Sequence, residues 1–250
     1  MKSRHFLQSL LASVLFAVSG CATEPSTSKG RILVLGATGQ LGAGIARELV
    51  ASGRAVTALV RPNSDRKRLQ GLDIEYLTGD VTNDADIAAA FKGHRYSAIV
   101  IALRVMDNDI HFYEKALRPI ARYAKSAGVG QIIHHGAVGA GSNLDKIPHE
   151  GWDRIPGIYD RLRDQGVGEQ LIRSSGVPYT IIRNARIYPN NTPSTGKAIL
   201  TEDDTVVTPM TRADLAIFTL RCLSDKACLG KTYHVKDPSL AWPPPGSSRP

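Results

Sequence analysis

The sequence predicts an α/β fold built on a doubly wound, mostly parallel sheet, and three observations lead there. Short apolar runs alternate with helical patterns along residues 31–183; the first run breaks off at a loop whose glycines are spaced three apart; and no repeat or long linker divides the 250 residues into independent units. A hydrophobic content of 42% suffices to bury a sizeable core in a chain of this length.

Six strands are expected, at 31–35, 55–60, 73–77, 97–102, 130–135 and 178–183. The first, Ile32 to Leu35, is apolar throughout, as a strand buried on both faces should be. Leu41, Ile45 and Leu49, with Ala46 and Val50, then recur at helical spacing up to Gly53. Between them lies Gly36-Ala-Thr-Gly-Gln-Leu-Gly42. Gly36 permits the tight turn, Gly39 lets backbone approach a pyrophosphate without a Cβ in the way, and Gly42 lets the helix pack on the strand. The helix N-terminus faces the anion with free N–H groups and a partial positive charge. Gly36, Thr38, Gly39, Gln40, Leu41 and Gly42 are therefore the expected phosphate-binding residues of a nucleotide site.

The second strand ends at Arg61, where an NAD-preferring site carries an acid for the ribose 2'-hydroxyl. Arg61 is instead followed by Asn63, Ser64, Arg66, Lys67 and Arg68, a cluster suited to a 2'-phosphate, which predicts NADP(H) over NAD(H). After the third strand, Asp80 and Val81 form the loop expected to meet the adenine ring, with Asp80 as its polar contact.

The fifth strand carries His134 and His135, adjacent and so on opposite faces, an arrangement unsuited to a two-histidine metal site; no other metal-ligand spacing is present. His135 stands where a ligand's reactive end would lie and is a candidate proton donor, although a hydrogen-bonded structural histidine is the plainer reading. Gly166 and Gly168 fall inside the next helix, each costing about 1 kcal/mol relative to alanine, which points to close packing. After the sixth strand comes a polar, glycine-proline punctuated loop, residues 184–197, where substrate contacts are expected from Asn184 and Tyr188, with Asn190 and Asn191 beside them. Thr211 to Asp214 is a capping box that opens another helix. Cys222 and Cys228, near that helix's end, are expected to be two buried thiols, with a disulfide as the second option. Residues 185–236 should form a small appendage over the strand ends within a single domain spanning 31–236, and 237–250 a proline-rich disordered tail.

At the N-terminus Lys2 and Arg4 precede Phe6 to Val18, an apolar stretch of signal-peptide length that is too short for a comfortable membrane span. Val18-Ser19-Gly20-Cys21 resembles the lipobox of bacterial lipoproteins, which implies removal of residues 1–20 and lipidation of Cys21. Residues 21–30 then tether the domain, Ala22 to Gly30 reaching at most about 30 Å. The expected location is the periplasmic face of a membrane, with the outer membrane favoured by Ala22 in place of a retention aspartate; a cytoplasmic location is the alternative. Loss of Lys2 and Arg4 takes the formal charge from +8 to +6, which still favours an anionic surface. Basic residues are scattered and no nucleic-acid motif occurs, so no nucleic-acid partner is expected.

Taken together, the glycine loop, the strand-ending Val60-Arg61, Gly79-Asp80-Val81, the stretch Gly168 to Arg183 with its Ser-Gly-Val-Pro-Tyr-Thr-Ile-Ile-Arg entry, and Thr211-Arg-Ala-Asp-Leu-Ala216 resemble the atypical short-chain dehydrogenase/reductase family in its NAD(P)H-binding, NmrA-like branch. The resemblance covers about residues 31–236. It implies a Rossmann-like fold, a reduced nicotinamide cofactor and either reductase activity or non-catalytic cofactor sensing. In the enzymatic members a tyrosine handles the proton, a lysine four residues later holds the ribose, and a serine polarises the carbonyl. None of the eight tyrosines here begins Tyr-x-x-x-Lys. Tyr159, followed by Arg163, is the nearest candidate acid, yet aligning on Ser175-Gly176 puts Gln165 at the lysine position, and Gly136 and Ala137 stand where the serines fall. The expected function is an NADPH-dependent oxidoreductase acting on an unidentified quinone-, flavin- or carbonyl-like acceptor; the alternative is a nucleotide-binding sensor or scaffold without chemistry.

Overall fold

A computed structural model describes residues 30–105, 109–189, 192–223 and 225–241. The expected leader, Cys21, the tether up to residue 29, Asn190, Asn191 and the tail from 242 lie outside the described residues.

Each expected strand forms, within a residue or two at its ends: β1 (Ile32–Leu35), β2 (Val56–Val60), β3 (Ile74–Thr78), β4 (Ala98–Ile101), β5 (Gln131–Ala137) and β6 (Tyr179–Asn184). The helices between them are α1 (Gln40–Ala51), α2 (Asp84–Phe91), α3 (Phe112–Ser126) and α4 (Ile158–Ser174), and α5 (Arg212–Cys222) follows. Beyond β6 the chain adds β7 (Ile199–Thr201) and β8 (Lys231–Lys236), giving the order β3-β2-β1-β4-β5-β6-β8-β7. All neighbours are parallel except β7 and β8. The sheet thus winds outward in both directions from the β1/β4 junction, and the crevice above the carboxyl ends there is the expected ligand position. The segment expected to be an appendage returns in part to the sheet. β7 is only three residues long and half-exposed, and β8 is bounded by lysines, so neither offers the continuous apolar run that marks the buried strands.

Two apolar layers enclose the sheet. Ile45 and Leu49 of α1 and Leu215 and Phe218 of α5 cover one face, and Ile87, Leu117, Ile120 and Ile172 cover the other. The helical glycines have the packing role expected of them: a Cβ on Gly166 would lie 2.4 Å from Gly141 Cα, and one on Gly168 would lie 2.7 Å from Leu117 Cδ1. The caps fix how helices enter the site. Asp164 of α4, buried, accepts from the N–H groups of Tyr113 (2.7 Å) and Glu114 (3.0 Å) and so caps α3 across an interhelical contact. Thr211 caps α5 by accepting from Asp214 N at 3.0 Å, while Asp214 accepts from Ser194 Oγ and from Thr195 N, pinning the loop after β6.

Cys222 and Cys228 form a disulfide, contrary to the expectation of two thiols. A 3-10 turn at Lys226–Cys228 folds the chain back beyond α5, so the Cα atoms stand 5.4 Å apart, within bridging range. Sequence spacing alone does not reveal that reversal.

Candidate nucleotide-binding site

A cavity of about 690 Å³ runs along the carboxyl ends of the strands from the β1–α1 loop to β6. Gly36, Thr38, Gly39, Gln40 and Leu41 line its first part. Gly36 adopts φ +85°, and a Cβ there would lie 2.4 Å from Ala102 O. Gly42 does not line the cavity but meets its packing role, since its Cβ would lie 2.2 Å from Gly36 O. Gly39 is the N-cap of α1 in an extended conformation; no side chain caps that terminus and no acid lies in its first turn. The unpaired N–H groups and the dipole of a twelve-residue helix therefore face open cavity, the arrangement that binds a pyrophosphate. A nicotinamide dinucleotide fits this cradle on backbone grounds alone.

At the end of β2 the cavity is lined by Arg61, Ser64 and Arg68, and at the end of β3 by Asp80 and Val81. Neither Arg61 nor Arg68 has an ion pair among the described residues. Arg66, from the same basic cluster, is spent elsewhere: its guanidinium lies 4.7 Å from the centroid of the Tyr76 ring. Asp80 Oδ1 accepts from Thr82 N (2.8 Å) and Thr82 Oγ1 (2.7 Å), so one carboxylate oxygen shapes the turn while the residue still faces the cavity.

The opposite wall comes from the end of β4 and the start of α3: Leu103, Arg104, Phe112 and Tyr113. Tyr113 OH donates to Leu103 O at 3.2 Å, and burial, with Asp164 nearby, pushes its phenol up to about 12. Arg212, at the first turn of α5, donates to Tyr188 O; burial and the neighbouring Arg104 and Arg68 hold its guanidinium below the usual arginine range. Sequence reasoning missed Arg104, Tyr113 and Arg212. Arg104 sits just past a strand's carboxyl end, a position that alone marks it as a candidate.

The floor consists of His135, Gly136, Ala137, Gln165 and Asn184. Behind it, Glu169 is fully buried and ion-paired to Arg183 (Nη2–Oε2 2.7 Å, Nε–Oε1 3.1 Å) and to Arg173 at 2.7 Å. His134 and His135 do point to opposite faces. His134 lies edge-on to Tyr113 with neither nitrogen hydrogen-bonded, and burial lowers it to about 4. His135 Nε2 lies 2.8 Å from Thr219 Oγ1. Thr219 spends its only hydroxyl proton on Leu215 O at 2.8 Å, so Thr219 accepts from His135 Nε2–H and His135 Nδ1 is the unprotonated nitrogen. Burial, with His134 beside it, pushes this imidazole down to about 3, against a hydrogen bond with Asn184 that favours the charged form.

Three expected site residues are placed otherwise than the sequence suggested. His135 lines the cavity, but its Nε2–H is given to Thr219, so that proton is not turned to the cavity. Tyr159 does not line the cavity: it occupies the first turn of α4, half-buried against His149 at 6.4 Å between ring centroids. The helix turns it away from the floor, and Gln165, two turns on, reaches the cavity instead. Tyr188 is buried rather than presented to the cavity, its hydroxyl donating to Ala241 O at 2.8 Å. Asn184 does reach the floor.

A family model described as NAD(P)H-binding matches residues 36–226. The chain is 31% identical over 166 residues to the sterol demethylase protein B of Methylococcus capsulatus, covering 62% of this chain and 51% of that one, so it spans about half that relative's length. It is 25% identical over 229 residues to the probable pinoresinol-lariciresinol reductase 3 of Arabidopsis thaliana, covering 86% of this chain and 70% of that one. Among solved structures, an anaerobillin reductase from Escherichia coli O157:H7 superposes with a TM-score of 0.73 at 21% identity, covering 84% of this chain and 98% of that one.

Proposed function

The chain belongs to the NAD(P)H-binding family, and on that footing we propose that it is an NADPH-dependent oxidoreductase of the atypical short-chain dehydrogenase/reductase type, NmrA-like in its motifs, acting on a small quinone-, flavin- or carbonyl-like acceptor. One observation carries the reading: a single cavity joins the uncapped N-terminus of α1, the arginines at the end of β2 and the ends of β5 and β6. The reduced nicotinamide, when bound, supplies a hydride. The chain's own residues bind and enclose. Gly36 to Leu41 and the α1 dipole hold the pyrophosphate. Arg61, Ser64 and Arg68 give charge and donors to a 2'-phosphate, which favours NADP(H) over NAD(H). Leu103, Phe112, Tyr113 and Ile187 wall the reactive end against water. Among the described residues no lysine lines the cavity, and the N–H of His135 is given to Thr219, so the proposed catalysis rests on positioning, which suits acceptors that draw their proton from solvent. The names of the pinoresinol-lariciresinol and anaerobillin reductases support a reductase without identifying this substrate.

The same unfilled catalytic positions favour a second reading, a nucleotide-binding sensor or scaffold. Calorimetric titration with NADPH, followed by an acceptor panel monitored for NADPH oxidation, separates them. Binding without oxidation across quinones, flavins and carbonyls leaves only the second; absence of nucleotide binding removes both.

We further propose export and attachment to the periplasmic face of a membrane through lipidated Cys21. The charged, apolar and Ser-Gly-Cys sequence of residues 2–21 supports it, and the Cys222–Cys228 bridge suits an oxidising compartment. Intact-mass spectrometry of membrane fractions tests it, an unprocessed or unacylated chain being the contrary result.

A further inference from the structure

Among the described residues that line the cavity, four are arginines and two are acids: Arg61, Arg68, Arg104 and Arg212 against Asp80 and Asp109. Asp109 is committed to Lys115, whose Nζ donates to its two carboxylate oxygens at 3.0 and 2.9 Å, and Asp80 shapes its own turn. The cavity therefore carries surplus positive charge. Two of the arginines have a use in the nucleotide assignment: Arg61 and Arg68 meet a 2'-phosphate, while the N–H groups of α1 meet the pyrophosphate. Arg104 and Arg212 are left over, and neither has an ion pair among the described residues.

These two come from opposite walls. Arg104 follows β4 on the way to α3, which packs on one face of the sheet, whereas Arg212 opens α5, which packs on the other. They are close enough to feel each other: burial, and then the charge of Arg104, hold the Arg212 guanidinium down, and the charge of Arg104 reaches the Tyr113 phenol as well. Arg212 is also anchored. Met210 N donates to Arg186 O at 3.1 Å, Tyr188 N to Met210 O at 2.8 Å, and Arg212 Nη1 to Tyr188 O, which ties this guanidinium to the loop after β6. Loops at a strand's carboxyl end are where the ligands of open α/β sheets bind. Like charges held together beside a half-buried wall repel until an anion joins them, and guanidinium donors match the oxygens of a carboxylate or a phosphate. Resting on the reading of this cavity as a reductase site, we propose that Arg104 and Arg212 together bind an anionic group, a carboxylate or a phosphate, carried by the acceptor. Leu103, Phe112 and Ile187 line the cavity with them and receive the rest of that molecule. The substrate class is thus a largely apolar acceptor with an acidic arm.

The test is calorimetric binding to the protein saturated with NADP⁺, so that no turnover is needed. Paired probes differ in the acid: flavin mononucleotide against riboflavin for a phosphate, and 4-carboxybenzaldehyde against 4-methylbenzaldehyde for a carboxylate. The anionic member of at least one pair should bind about tenfold more tightly than its neutral partner, and the pair that shows the preference identifies the acid. Arg104 is exposed and unpaired, so Arg104→Gln should fold and erase that preference while changing NADP⁺ affinity by less than about threefold. Arg212→Gln should erase it too, and Arg212→Lys should restore part of it. If Arg212→Gln does not fold, Arg104→Gln carries the test. Equal binding within both pairs, no binding of either anionic probe, or a preference that survives Arg104→Gln overturns the proposal while the nucleotide assignment stands. A loss of about tenfold in NADP⁺ affinity in Arg104→Gln overturns it as well, because the pair would then serve the cofactor. A wild type that binds no NADP⁺ overturns the nucleotide assignment itself, and the proposal with it.

Discussion

Replacing Arg61 by alanine should separate the two nicotinamide nucleotides. Arg61 is exposed at the end of β2, lines the cavity with Ser64 and Arg68, and has no ion pair among the described residues, so its removal leaves no carboxylate stranded and little effect on folding is expected. A hydrogen bond to a charged group is worth about 1.5–3 kcal/mol, roughly ten- to 150-fold in affinity. Exposure and salt screening place a single surface arginine at the lower end, so Arg61→Ala should weaken NADPH by about tenfold and barely touch NADH. Adding Arg68→Ala should extend the loss to about a hundredfold, and the wild type's preference should fade as salt rises. Arg66→Ala is the internal control: that guanidinium is committed to the Tyr76 ring, so both nucleotides should bind as before. Calorimetry with NADPH and NADH on each variant reads all of this. Equal losses for both nucleotides would refute the reasoning, because Arg61 would then hold a part the two share.

Gly39→Val should abolish nucleotide binding in a folded protein, since its extended backbone accepts valine but the side chain fills the pyrophosphate approach; Gly42→Ala, with a Cβ 2.2 Å from Gly36 O, should instead lower the melting temperature, so titration and thermal melting on the pair should give opposite results. Cys222→Ser opens a short loop and should cost about 2 kcal/mol, a fall in Tm of about 4–8 °C that reducing agent reproduces in the wild type. His134 and His135 are held near 4 and 3, below their ordinary value, so on acidification the unfolded chain takes up protons that the fold refuses. Stability should therefore be flat above about pH 6.5 and fall below it by about 1.4 kcal/mol per pH unit for each ring; urea denaturation between about pH 7 and about pH 4.5 should show a shallower slope in His134→Leu, with His135 and the likewise lowered His234 supplying the rest.

Buried parallel strands announce themselves in sequence because both faces need apolar residues, which is why β1, β2, β4, β5 and β6 were legible and their ends nearly correct; the edge strand β3 is only partly buried. β7, at the sheet's edge, and β8, between it and β6, are not apolar on both faces and carry no such signal. The phosphate loop was legible for a related reason: Gly36, Gly39 and Gly42 satisfy three separate steric requirements, and few other arrangements need all three. What escaped was everything set by side-chain direction across distant elements. Tyr159 and Gln165 share α4 but point differently, and only the packing of α4 on α3 through Asp164 and Gly168 decides which reaches the cavity. Tyr188 lies in the expected loop, yet its hydroxyl is claimed by Ala241. The Cys222–Cys228 bridge depends on a turn that six residues of sequence do not specify.

Gly136, at the end of β5, stands where the resemblance to short-chain dehydrogenases/reductases implies a serine, and its surroundings bear on whether a serine could be placed there. A Cβ on Gly136 would lie 2.7 Å from Glu169 Oε1 and 3.5 Å from His134 Nε2. Glu169 is fully buried and held by Arg183 and Arg173, so it has no freedom to withdraw; moving it would leave the buried Arg183 without its counter-ion, the costly half of breaking such a pair. The ion pair thus occupies the space a serine needs, and Gly136 follows from Glu169. Gly136→Ser is accordingly expected to destabilise by about 2 kcal/mol through overpacking, lowering Tm by about 4–8 °C, and to leave acceptor reduction no faster. Thermal melting and steady-state NADPH oxidation on the one variant decide it. A serine that is tolerated and raises turnover would mean that Glu169 yields, and that the catalytic position is vacant by history rather than blocked by the core.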